Sequence, residues 1–455
     1  MSDLEVIDRH RLATLIERER AAYRDRFRGS AKAFAASGDH LLGGVPMTWM
    51  RMWPGGFPLY QASASGARLT DVDGHEFIDF CLGDTGAMAG HSPAPVQAAI
   101  ARRYAELGGA TTMLPTEDAA WVAAELTRRF GAAYWSFTLT ATDANRWAIR
   151  LARHLANRPK ILVFSYCYHG SVDETFIVAT PDGARKRDGN VGAPADPRET
   201  TRVVEFNDMD ALDQALSHGD VAAVLMEPAL TNIGIVLPEP GYLAAVRELT
   251  RKHGALLIND ETHTFSAGPG GCTAAWGLEP DIVTIGKSLA GGIPAGAYGL
   301  SAELAERILS DAEADIEDTG GVGGTLAGNA LSVAAMRATL SEVLTDVAFE
   351  RMIATATRYT AGVQDVLTTR RLPWSIVQLG ARAEYRFAAA PPRTGGESAA
   401  AADPELDEYL HLYTINRGIL MTPFHNMALM CPATTDADVD AHTGVFAAAA
   451  DELAG

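Results

Sequence analysis

Four segments between residues 221 and 286 decide the fold class: VAAVLME (221–227), GYLAAVRELTRKHG (241–254), ALLIND (255–260) and DIVTIG (281–286). The first, third and fourth are short, apolar and rich in β-branched residues, whereas the second has the length and spacing of an amphipathic helix. Strands that alternate with such helices form mostly parallel sheets covered on both faces. These segments therefore predict an α/β fold whose ligand site lies beyond the carboxyl ends of the strands.

The same alternation continues toward the N-terminus. Its segments are AAWVAAELTRRF (119–130), YWSFTLT (134–140), DANRWAIRLARHL (143–155) and KILVFS (160–165). Further outward, RLTDVDGHEFIDF (68–80) alternates apolar and polar residues around Asp73-Gly74, which predicts a hairpin with a tight turn. Regularly spaced Leu and Ile among charges over residues 3–36 predict one amphipathic helix.

These segments divide the chain into three regions. Residues 1–84, with the helix and the hairpin, are expected to belong to a small domain, and residues 85–340 to form the large domain. Residues 341–455 are expected to complete the small α+β domain at the C-terminus. Within that last region, PPRTGGESAAAADP (391–404) is rich in Pro, Gly, Ser and Ala, which predicts a mobile loop.

Composition and charge indicate the kind of partner. The chain has 455 residues, of which 47% are hydrophobic and 21% charged, as in ordinary globular proteins. Its formal net charge of −19 repels phosphates and anionic lipids, so neither nucleic acid nor a membrane is an expected partner. The cysteines are widely spaced with no C-x-x-C pair, which argues against a metal site or a disulfide framework. We expect a cytoplasmic protein that acts on small molecules.

Lys287 and Asp260 carry the strongest chemical signal. Lys287 follows the strand DIVTIG, and Asp260, 27 residues earlier, ends the strand ALLIND. A partly desolvated lysine amine loses its proton readily and condenses with an aldehyde. A carboxylate on a neighbouring strand end can hold a pyridine nitrogen protonated, which makes the ring an electron sink. Together these two requirements indicate pyridoxal phosphate (PLP) chemistry.

The tripeptide GKS at 286–288 also fits the end of a nucleotide-binding loop. That loop requires a glycine five positions before Gly286, where this chain has Asp281, and the intervening IVTI is strand-like rather than turn-like. A surface lysine at a strand end, without a catalytic role, is the structural alternative. The presence of Asp260 on the preceding strand favours PLP chemistry over both.

A phosphate site is predicted where SFTLTATDANRWAIR (136–150) passes from a strand into a helix. Unpaired N–H groups and the helix dipole favour an anion there, and the hydroxyls of Thr140 and Thr142 add donors. The same pattern also occurs in simple helix caps, with Asp143 as a candidate cap. Tyr168, after another strand, has the shape to lie on a cofactor ring, although packing is the commoner role of such a tyrosine. His169 is equally open.

In these residues and in further motifs, the sequence resembles the class III aminotransferases of PLP fold type I, and among them glutamate semialdehyde aminomutase and the β-amino-acid aminotransferases. Its motifs stand in family order over roughly residues 38 to 450: CYHG (167–170), MEP (226–228), NIG (232–234), LLINDE (256–261), TIGKSLAGGIPAGAYG (284–299) and GTLAGN (324–329). The resemblance implies a mostly parallel, seven-stranded-type sheet in the large domain with a small α+β domain beside it. It also implies pyridoxal 5′-phosphate as cofactor and a homodimer with shared active sites.

The resemblance implies a role for each cofactor contact. Lys287 holds the cofactor as a Schiff base and moves protons as general acid and base, and Asp260 is the partner of the pyridinium nitrogen. Tyr168 stacks on the ring, and Ala141 with Thr142 occupies the phosphate cup. Further positions assigned to cofactor binding are Thr140, His169, Glu227 and Thr262, while Thr325 reaches the phosphate of the partner subunit. Glu261 also matches a family position near the cofactor, and for Glu227 and Glu261 a structural role is the alternative.

Two departures from the family lie in the cofactor site. Ala141 replaces the glycine that lets the backbone approach the phosphate, and Thr262 replaces the valine that usually sits against the ring. The backbone donors survive at Ala141, and a threonine can fill the space of a valine. We therefore expect PLP binding to persist.

The substrate side departs further. In GGVPMTWMRMWPGGFP (43–58), Arg51 matches the carboxylate-binding arginine of the relatives only with a shift of about one residue, and Trp49 is part of a bulky apolar wall. Arg382 in LGARAEYRF (379–387) is another candidate carboxylate clamp, with a solvated strand face as the alternative. His425 aligns with an acidic residue of the aminomutase, and the loss of that acid argues against mutase activity.

The expected function is that of a two-step aminotransferase, which passes an amino group from an amine or (β-)amino acid through pyridoxamine phosphate to an oxo acid, ketone or aldehyde. The alternative is an aminomutase or racemase of the glutamate semialdehyde aminomutase type, which needs no added oxo acid. A third hypothesis is a catalytically silent PLP-fold protein used for binding or regulation. The presence of Lys287, Asp260 and Tyr168 together argues against that third hypothesis.

Overall fold

The computed structural model describes residues 7–188, 191–192, 196–311 and 324–454. The chain divides into two units, each with its own dense internal contacts. The large unit consists of Ala94–Glu350 with Pro392–Ala400, and the small unit of Met1–Pro93, Arg351–Pro391 and Ala401–Gly455. The predicted domain borders after residues 84 and 340 stay a prediction, and the chain passes between the units after Pro93 and Glu350.

The α-helices in the described part of the chain are α1 (Arg9–Arg26), α2 (Arg28–Ser37), α3 (Ala94–Ala101), α4 (Glu117–Phe130), α5 (Ala141–Ala156), α6 (Pro197–Thr200), α7 (Met209–Ser217), α8 (Tyr242–His253), α9 (Gly271–Ala275), α10 (Ala302–Leu309), α11 (Ala330–Ala338), α12 (Asp346–Thr369), α13 (Gly395–Ala400), α14 (Pro404–Ile415) and α15 (Asp436–Ala454). Short 3₁₀ turns lie at Leu42–Gly44, Thr48–Arg51, Asp173–Thr175, Thr264–Ala267 and Lys287–Ala290, and π turns at Arg102–Leu107 and Thr339–Val343.

The β-strands in the same residues are β1 (Gln61–Ser65), β2 (Arg68–Asp71), β3 (Glu76–Asp79), β4 (Tyr134–Thr138), β5 (Lys160–Phe164), β6 (Ile177–Thr180), β7 (Gly183–Lys186), β8 (Thr201–Val204), β9 (Val221–Met226), β10 (Leu256–Asp260), β11 (Ile282–Ile285), β12 (Gly296–Leu300), β13 (Ser375–Leu379), β14 (Arg382–Arg386), β15 (Ile419–Leu420) and β16 (Met427–Leu429).

A seven-stranded sheet in the order β4-β12-β11-β10-β9-β5-β8 is the centre of the large unit. The pairs β11–β10, β10–β9, β9–β5 and β5–β8 are parallel, whereas β12 is antiparallel to both of its neighbours. Every residue of β9 and of β11 is buried, as expected for strands covered on both faces. The predicted α/β fold with a mostly parallel sheet is confirmed, and the polar residues that follow β9, β10 and β11 meet at one edge.

The small unit contains two sheets, in the orders β1-β2-β3-β15 and β13-β14-β16. The predicted hairpin is present, since β2 and β3 pair antiparallel with Gly74 at a φ of 85° in the turn between them. The strand β15 then pairs parallel with β3, with Ile419 opposite Ile78. Residues from both ends of the chain therefore build one sheet.

Two local predictions are wrong. The N-terminal region forms α1 and α2 rather than one helix, because Phe27 leaves helical geometry between them and packs its buried ring 4.7 Å from that of Tyr23. The predicted loop at 391–404 contains α13, which belongs to the large unit. This helix lies close to the end of β5, since a Cβ at Gly395 would be 2.2 Å from the carbonyl oxygen of Ser165. The hydroxyl of Ser398 also donates to the carbonyl of Ile233.

All four cysteines are buried and free. No helix within the described ranges is both long enough and apolar enough to cross a lipid bilayer.

Candidate active site

The carboxyl ends of two neighbouring strands place Asp260 and Lys287 at the same edge of the sheet. In the parallel pair of β10 and β11, Asp260 is opposite Thr284, and Lys287 follows just after the end of β11. Asp260 is buried and Lys287 is half-buried. The backbone φ of Lys287 is 51°, in the left-handed region that costs a non-glycine residue of order 1 kcal/mol. The surrounding structure therefore imposes the direction in which this lysine leaves the strand.

Asp260 accepts hydrogen bonds in a buried network. Its Oδ2 accepts from Nδ2 of Asn145 at 2.7 Å and lies 2.8 Å from Nδ1 of His169, while its Oδ1 accepts from the backbone N–H of Thr262 at 3.0 Å. Burial alone would raise the pKa of Asp260, but the hydrogen bonds of His169, Thr262 and Asn145 outweigh burial and lower that pKa. Burial also opposes the charge on His169, yet Cys167 and Asp260 raise its pKa well above the ordinary value. The Asp260 carboxyl and the ring of His169 therefore form a buried, hydrogen-bonded pair.

Glu227, directly after β9, is a second buried carboxyl near this pair. Its Oε1 accepts from the backbone N–H of Tyr168 at 3.4 Å, and its Oε2 accepts from the hydroxyl of Thr231. Burial raises the pKa of Glu227, although His169 and Thr231 act in the opposite direction. The half-buried ring of Tyr168 lies edge-on to that of Phe176, with 6.3 Å between centroids. Glu227 thus fixes the backbone that carries Tyr168.

The N-terminus of α5 is the predicted phosphate site. Thr140 is its N-cap, because Oγ1 accepts from the backbone N–H of Asp143 at 3.2 Å and donates to the Asp143 carboxylate at 3.0 Å. The suggested cap by Asp143 is therefore wrong. The first backbone N–H groups of a helix have no acceptor inside the helix, so those of Ala141 and Thr142 can serve an anion. The hydroxyl oxygen of Thr142 accepts from the backbone N–H of Ser171 at 3.1 Å, which leaves its own proton to donate.

Two glycines allow neighbouring loops to approach this helix terminus. A Cβ at Gly170, whose φ is 78°, would lie 2.0 Å from Oγ1 of Thr142. A Cβ at Gly286 would lie 2.8 Å from the backbone nitrogen of Ala141. Because neither position carries a side chain, the loop after β5 and the loop after β11 both reach the first turn of α5.

Glu261 follows Asp260 in sequence, but its carboxylate accepts structural hydrogen bonds from Thr264 and from α9. Its carboxylate accepts from the hydroxyls of Thr264 at 2.5 Å and Thr273 at 2.6 Å. It also accepts from the backbone N–H groups of Cys272 at 3.0 Å and Thr273 at 2.5 Å. Burial raises the pKa of Glu261, with these hydrogen bonds opposing the change. The geometry favours the structural alternative, since Glu261 ties the segment after β10 to α9.

Asn145 and His263 are two side chains of the site that were not predicted from the sequence. Besides its bond to Asp260, Asn145 accepts from the hydroxyl of Thr284 at 2.6 Å, so it links α5 to β10 and β11. Nε2 of the buried His263 lies 2.9 Å from Nζ of Lys287. Two features of the sequence could have indicated them. Asn145 is a polar residue one turn into the helix that follows the predicted phosphate site, and His263 is an imidazole in the loop that follows Asp260.

Three residues that were predicted to contact the phosphate or the substrate lie outside the hydrogen-bond network of Asp260, and all three are exposed. Thr325 lies in a turn of the large unit. Trp49 and Arg51 lie on the 3₁₀ turn Thr48–Arg51 of the small unit, where the ring centroid of Trp49 is 4.8 Å from that of Phe424. Their predicted functional roles remain proposals.

Arg382 and His425 are buried in the small unit. Arg382 is 0% exposed on β14, which excludes the solvated strand face that the sequence allowed. Nδ1 of His425 lies 3.1 Å from Oε1 of Glu384, which is on the same strand as Arg382. Burial would raise the pKa of Glu384, but His425 and the neighbouring arginines lower it. A carboxylate therefore lies beside the histidine that was expected to replace an acidic residue of the aminomutase.

Known proteins are similar to this chain over most of its length. A family model described as Aminotransferase class-III matches residues 53–447. A glutamate-1-semialdehyde 2,1-aminomutase of Chloroflexus aggregans is 34% identical over 431 residues, which cover 91% of this chain and 96% of the relative.

Two solved structures illustrate the range of similar folds. A glutamate-1-semialdehyde aminomutase of Pseudomonas aeruginosa PAO1, a Lys-to-Ala variant in complex with PMP, is 48% identical, with a TM-score of 0.95 and coverage of 98% of this chain and 99% of that one. An omega-transaminase of Sphaerobacter thermophilus is 28% identical, with a TM-score of 0.85 and coverage of 95% and 99%. The predicted resemblance and the predicted cofactor, pyridoxal 5′-phosphate, are confirmed. The chain belongs to the class III aminotransferase family and is a PLP-dependent enzyme.

Proposed function

We propose that this enzyme moves an amino group between neighbouring carbons of one substrate, as glutamate-1-semialdehyde 2,1-aminomutases do by their name. The observation that carries the proposal is that the chain matches aminomutases over almost its whole length, in sequence and in fold. The sequence alone favoured a two-step aminotransferase, and the comparisons support the alternative better. The substrate is accordingly a compound that carries both the amine and the carbonyl.

The residues at the sheet edge fit PLP. The hydrogen bonds that Asp260 receives from His169, Thr262 and Asn145 favour its ionised form, so it can hold a proton on a pyridine nitrogen. The N–H groups at the start of α5 suit a phosphate, and Lys287 offers the amine that an aldehyde requires. When bound, the cofactor supplies an electron sink for the carbon that loses a proton.

The protein's own part is to position groups and to move protons. Nζ of Lys287 takes a proton from the substrate carbon that bears the nitrogen and returns it at the neighbouring reacting atom. Asp260 keeps its negative charge during the reaction, because its two nearest hydrogen-bond partners, Asn145 and His169, are buried and fixed in place. Glu227 holds the backbone of Tyr168, whose ring then forms one wall of the cofactor site.

His425 no longer argues against a mutase. From the sequence, an acidic side chain was expected to be lost at this position. Because Glu384 lies within hydrogen-bond distance of His425, the small unit still presents an acid in contact with the substituting imidazole. Arg51, Trp49 and Arg382 remain proposed substrate contacts from the same unit.

We also propose that two chains associate, with Thr325 contributing to the partner's phosphate site. Large apolar side chains are exposed on the large unit at Tyr104, Leu107, Met113 and Leu114. Contiguous exposed apolar patches mark interaction surfaces, and these four residues are close to one another in the sequence. Sedimentation of the purified chain should show a dimer, and a monomer at working concentration would contradict this part.

The decisive test offers the PLP-loaded or PMP-loaded protein glutamate-1-semialdehyde alone, without added amine or oxo acid. An aminomutase converts it to its amino-transferred isomer over many turnovers, because the same molecule supplies and accepts the amino group. Lys287→Ala should abolish turnover, whereas the control Lys252→Ala removes an exposed lysine paired with Asp213 and should leave it unchanged. If product forms only after an oxo acid and an amine are added, the proposal is wrong.

A two-step transaminase is the second candidate, and the apolar wall on the small unit favours it. Of the wall residues Trp49, Met50, Met52 and Trp53, the first three are exposed, a surface suited to a hydrophobic amine or β-amino acid. The similarity to an omega-transaminase agrees with this candidate. A hydrophobic amine alone should then convert the cofactor's absorbance to that of its amine form, and an unchanged spectrum across a donor panel would exclude it.

A further inference from the structure

His263 contacts the reactive atom of the site. It lies in the loop that begins at Asp260, and its Nε2 is 2.9 Å from Nζ of Lys287. Only 7% of the histidine is exposed to solvent. The imidazole is thus a buried base in hydrogen-bond contact with the amine that must condense with an aldehyde.

The loop on both sides of His263 is firmly fixed. Before it, the backbone N–H of Thr262 donates to Asp260 and the carboxylate of Glu261 accepts from α9. After it, the backbone N–H of Phe265 donates to the carbonyl of Glu261 at 2.8 Å, and the buried ring of Phe265 packs against Phe130 and Phe349. The imidazole therefore has little freedom to leave the lysine.

The other ionisable groups at this edge are bonded to their own partners. Asp260 contacts His169, while Glu227 accepts from Thr231 and from the backbone of Tyr168. Glu261 accepts hydrogen bonds from the hydroxyls of Thr264 and Thr273 and from two backbone N–H groups. Lys287 and His263 are both basic, and two like charges at 2.9 Å strongly disfavour each other. A hydrogen bond between two nitrogens has one donor and one acceptor, so a single proton lies between Nζ and Nε2 in this contact.

We propose that His263 is a second catalytic base, which takes a proton from the ammonium of Lys287 so that Nζ has a free lone pair for the cofactor aldehyde. The N–H bond breaks at Nζ and a new one forms at Nε2 of the imidazole. When Lys287 is later released and must act as an acid, the proton returns along the same contact. This inference rests on the proposed role of Lys287.

The test is the rate at which apoprotein captures added PLP, followed by absorbance as a function of pH. An unassisted lysine with a pKa near 10.4 should slow roughly tenfold for each pH unit below that value. With His263 as base, wild type should capture PLP at a nearly constant rate from pH 9 to pH 7. If wild-type capture itself falls tenfold per unit over this range, the proposal is overturned without any variant.

Variants separate proton transfer from simple positioning. His263→Gln keeps a polar side chain but does not titrate, so capture should be more than tenfold slower than wild type at pH 7 and equal to it near pH 10. His263→Asn serves if the glutamine variant fails to fold. The control His154→Gln removes an exposed imidazole paired with Asp311 and should behave as wild type. Slowing of the glutamine variant by the same factor at every pH, or no slowing at all, would overturn the proposal.

Lys287→Ala separates this inference from the proposed function. Loss of covalent capture in Lys287→Ala together with normal capture in His263→Gln would refute the role of His263 alone. Covalent capture that survives in Lys287→Ala would refute the assignment of the lysine, on which both ideas depend.

Discussion

Replacing Asn145 with leucine should be costly, because this one side chain joins three elements of the cofactor site. Its amide donates to Asp260 at 2.7 Å and to the carbonyl of His169 at 3.2 Å, and it accepts from Thr284 at 2.6 Å. A hydrogen bond to a charged group is worth about 1.5–3 kcal/mol and a neutral one about 1 kcal/mol. We expect Asn145→Leu to lower the free energy of unfolding by roughly 4 kcal/mol.

Asn259 provides the matched control. It is equally buried and lies on β10, but in the described structure its side chain makes one neutral hydrogen bond, to the hydroxyl of Thr273 at 3.2 Å. Asn259→Leu should therefore cost only about 1 kcal/mol. Urea denaturation of both apoproteins, followed by circular dichroism, measures the difference of about 3 kcal/mol between them. The Asn145 variant should also release PLP faster on dilution, since Asp260 loses a donor that keeps it ionised.

Equal costs for the two leucine variants would refute this reasoning. That result would mean that the three hydrogen bonds of Asn145 together stabilise the protein no more than the single neutral bond of Asn259. A loss of stability without a change in PLP retention would contradict only the second half of the prediction.

Three further predictions concern a helix terminus, a buried acid and a buried histidine. Gly170→Ala places a Cβ against Thr142 and should weaken PLP affinity at least tenfold in a fluorescence titration, whereas unchanged affinity would show that the loop can yield. Glu261→Gln puts an amide against four donors and should lower the unfolding free energy by about 2–4 kcal/mol despite its similar shape, so an unchanged melting temperature would contradict the anchoring role. Burial lowers the pKa of His442 to about 3, whereas a histidine in the unfolded chain titrates near 6.5. Below ~pH 6.5 the unfolded chain therefore binds a proton that the folded protein does not, and the free energy of unfolding at pH 5 is about 2 kcal/mol lower than at neutral pH. The melting temperature of His442→Phe should therefore rise relative to that of wild type as the pH is lowered from 7 to 5. The control His40→Asn, at an exposed position, should show no such relative rise. Melting temperatures of His442→Phe and wild type that fall in parallel with pH would refute the assignment.

The central sheet could be predicted from the sequence because β9, β10 and β11 are short apolar runs separated by a clear helical period. The antiparallel β12 could not, since Gly296 and Gly299 give its sequence the look of a loop. The helix α13 was missed for the same kind of reason. Its composition favours a loop, and its position depends on a close approach to Ser165 that no local pattern records.

In the site, too, some residues could be predicted from the sequence and others depend on contacts between distant parts of the chain. Lys287 and Asp260 could be found because each directly follows a strand, and the ends of parallel strands meet. His263 could not, because the direction of its side chain depends on the bonds of Glu261 to α9, which lie farther along the chain. Asn145 required knowledge of which face of α5 covers β10 and β11.

The parallel pairing of β15 with β3 sets an order of events during synthesis on the ribosome. Ile78 emerges long before Ile419, its partner in the sheet, so the edge of β3 that β15 covers must wait for roughly 340 residues of further translation. At 5–20 residues per second this delay is about 20 to 70 s, ample time for the central sheet, whose strands all lie between 134 and 300, to assemble first. A nascent chain halted before residue 419 should therefore expose an unpaired edge that invites association with other chains.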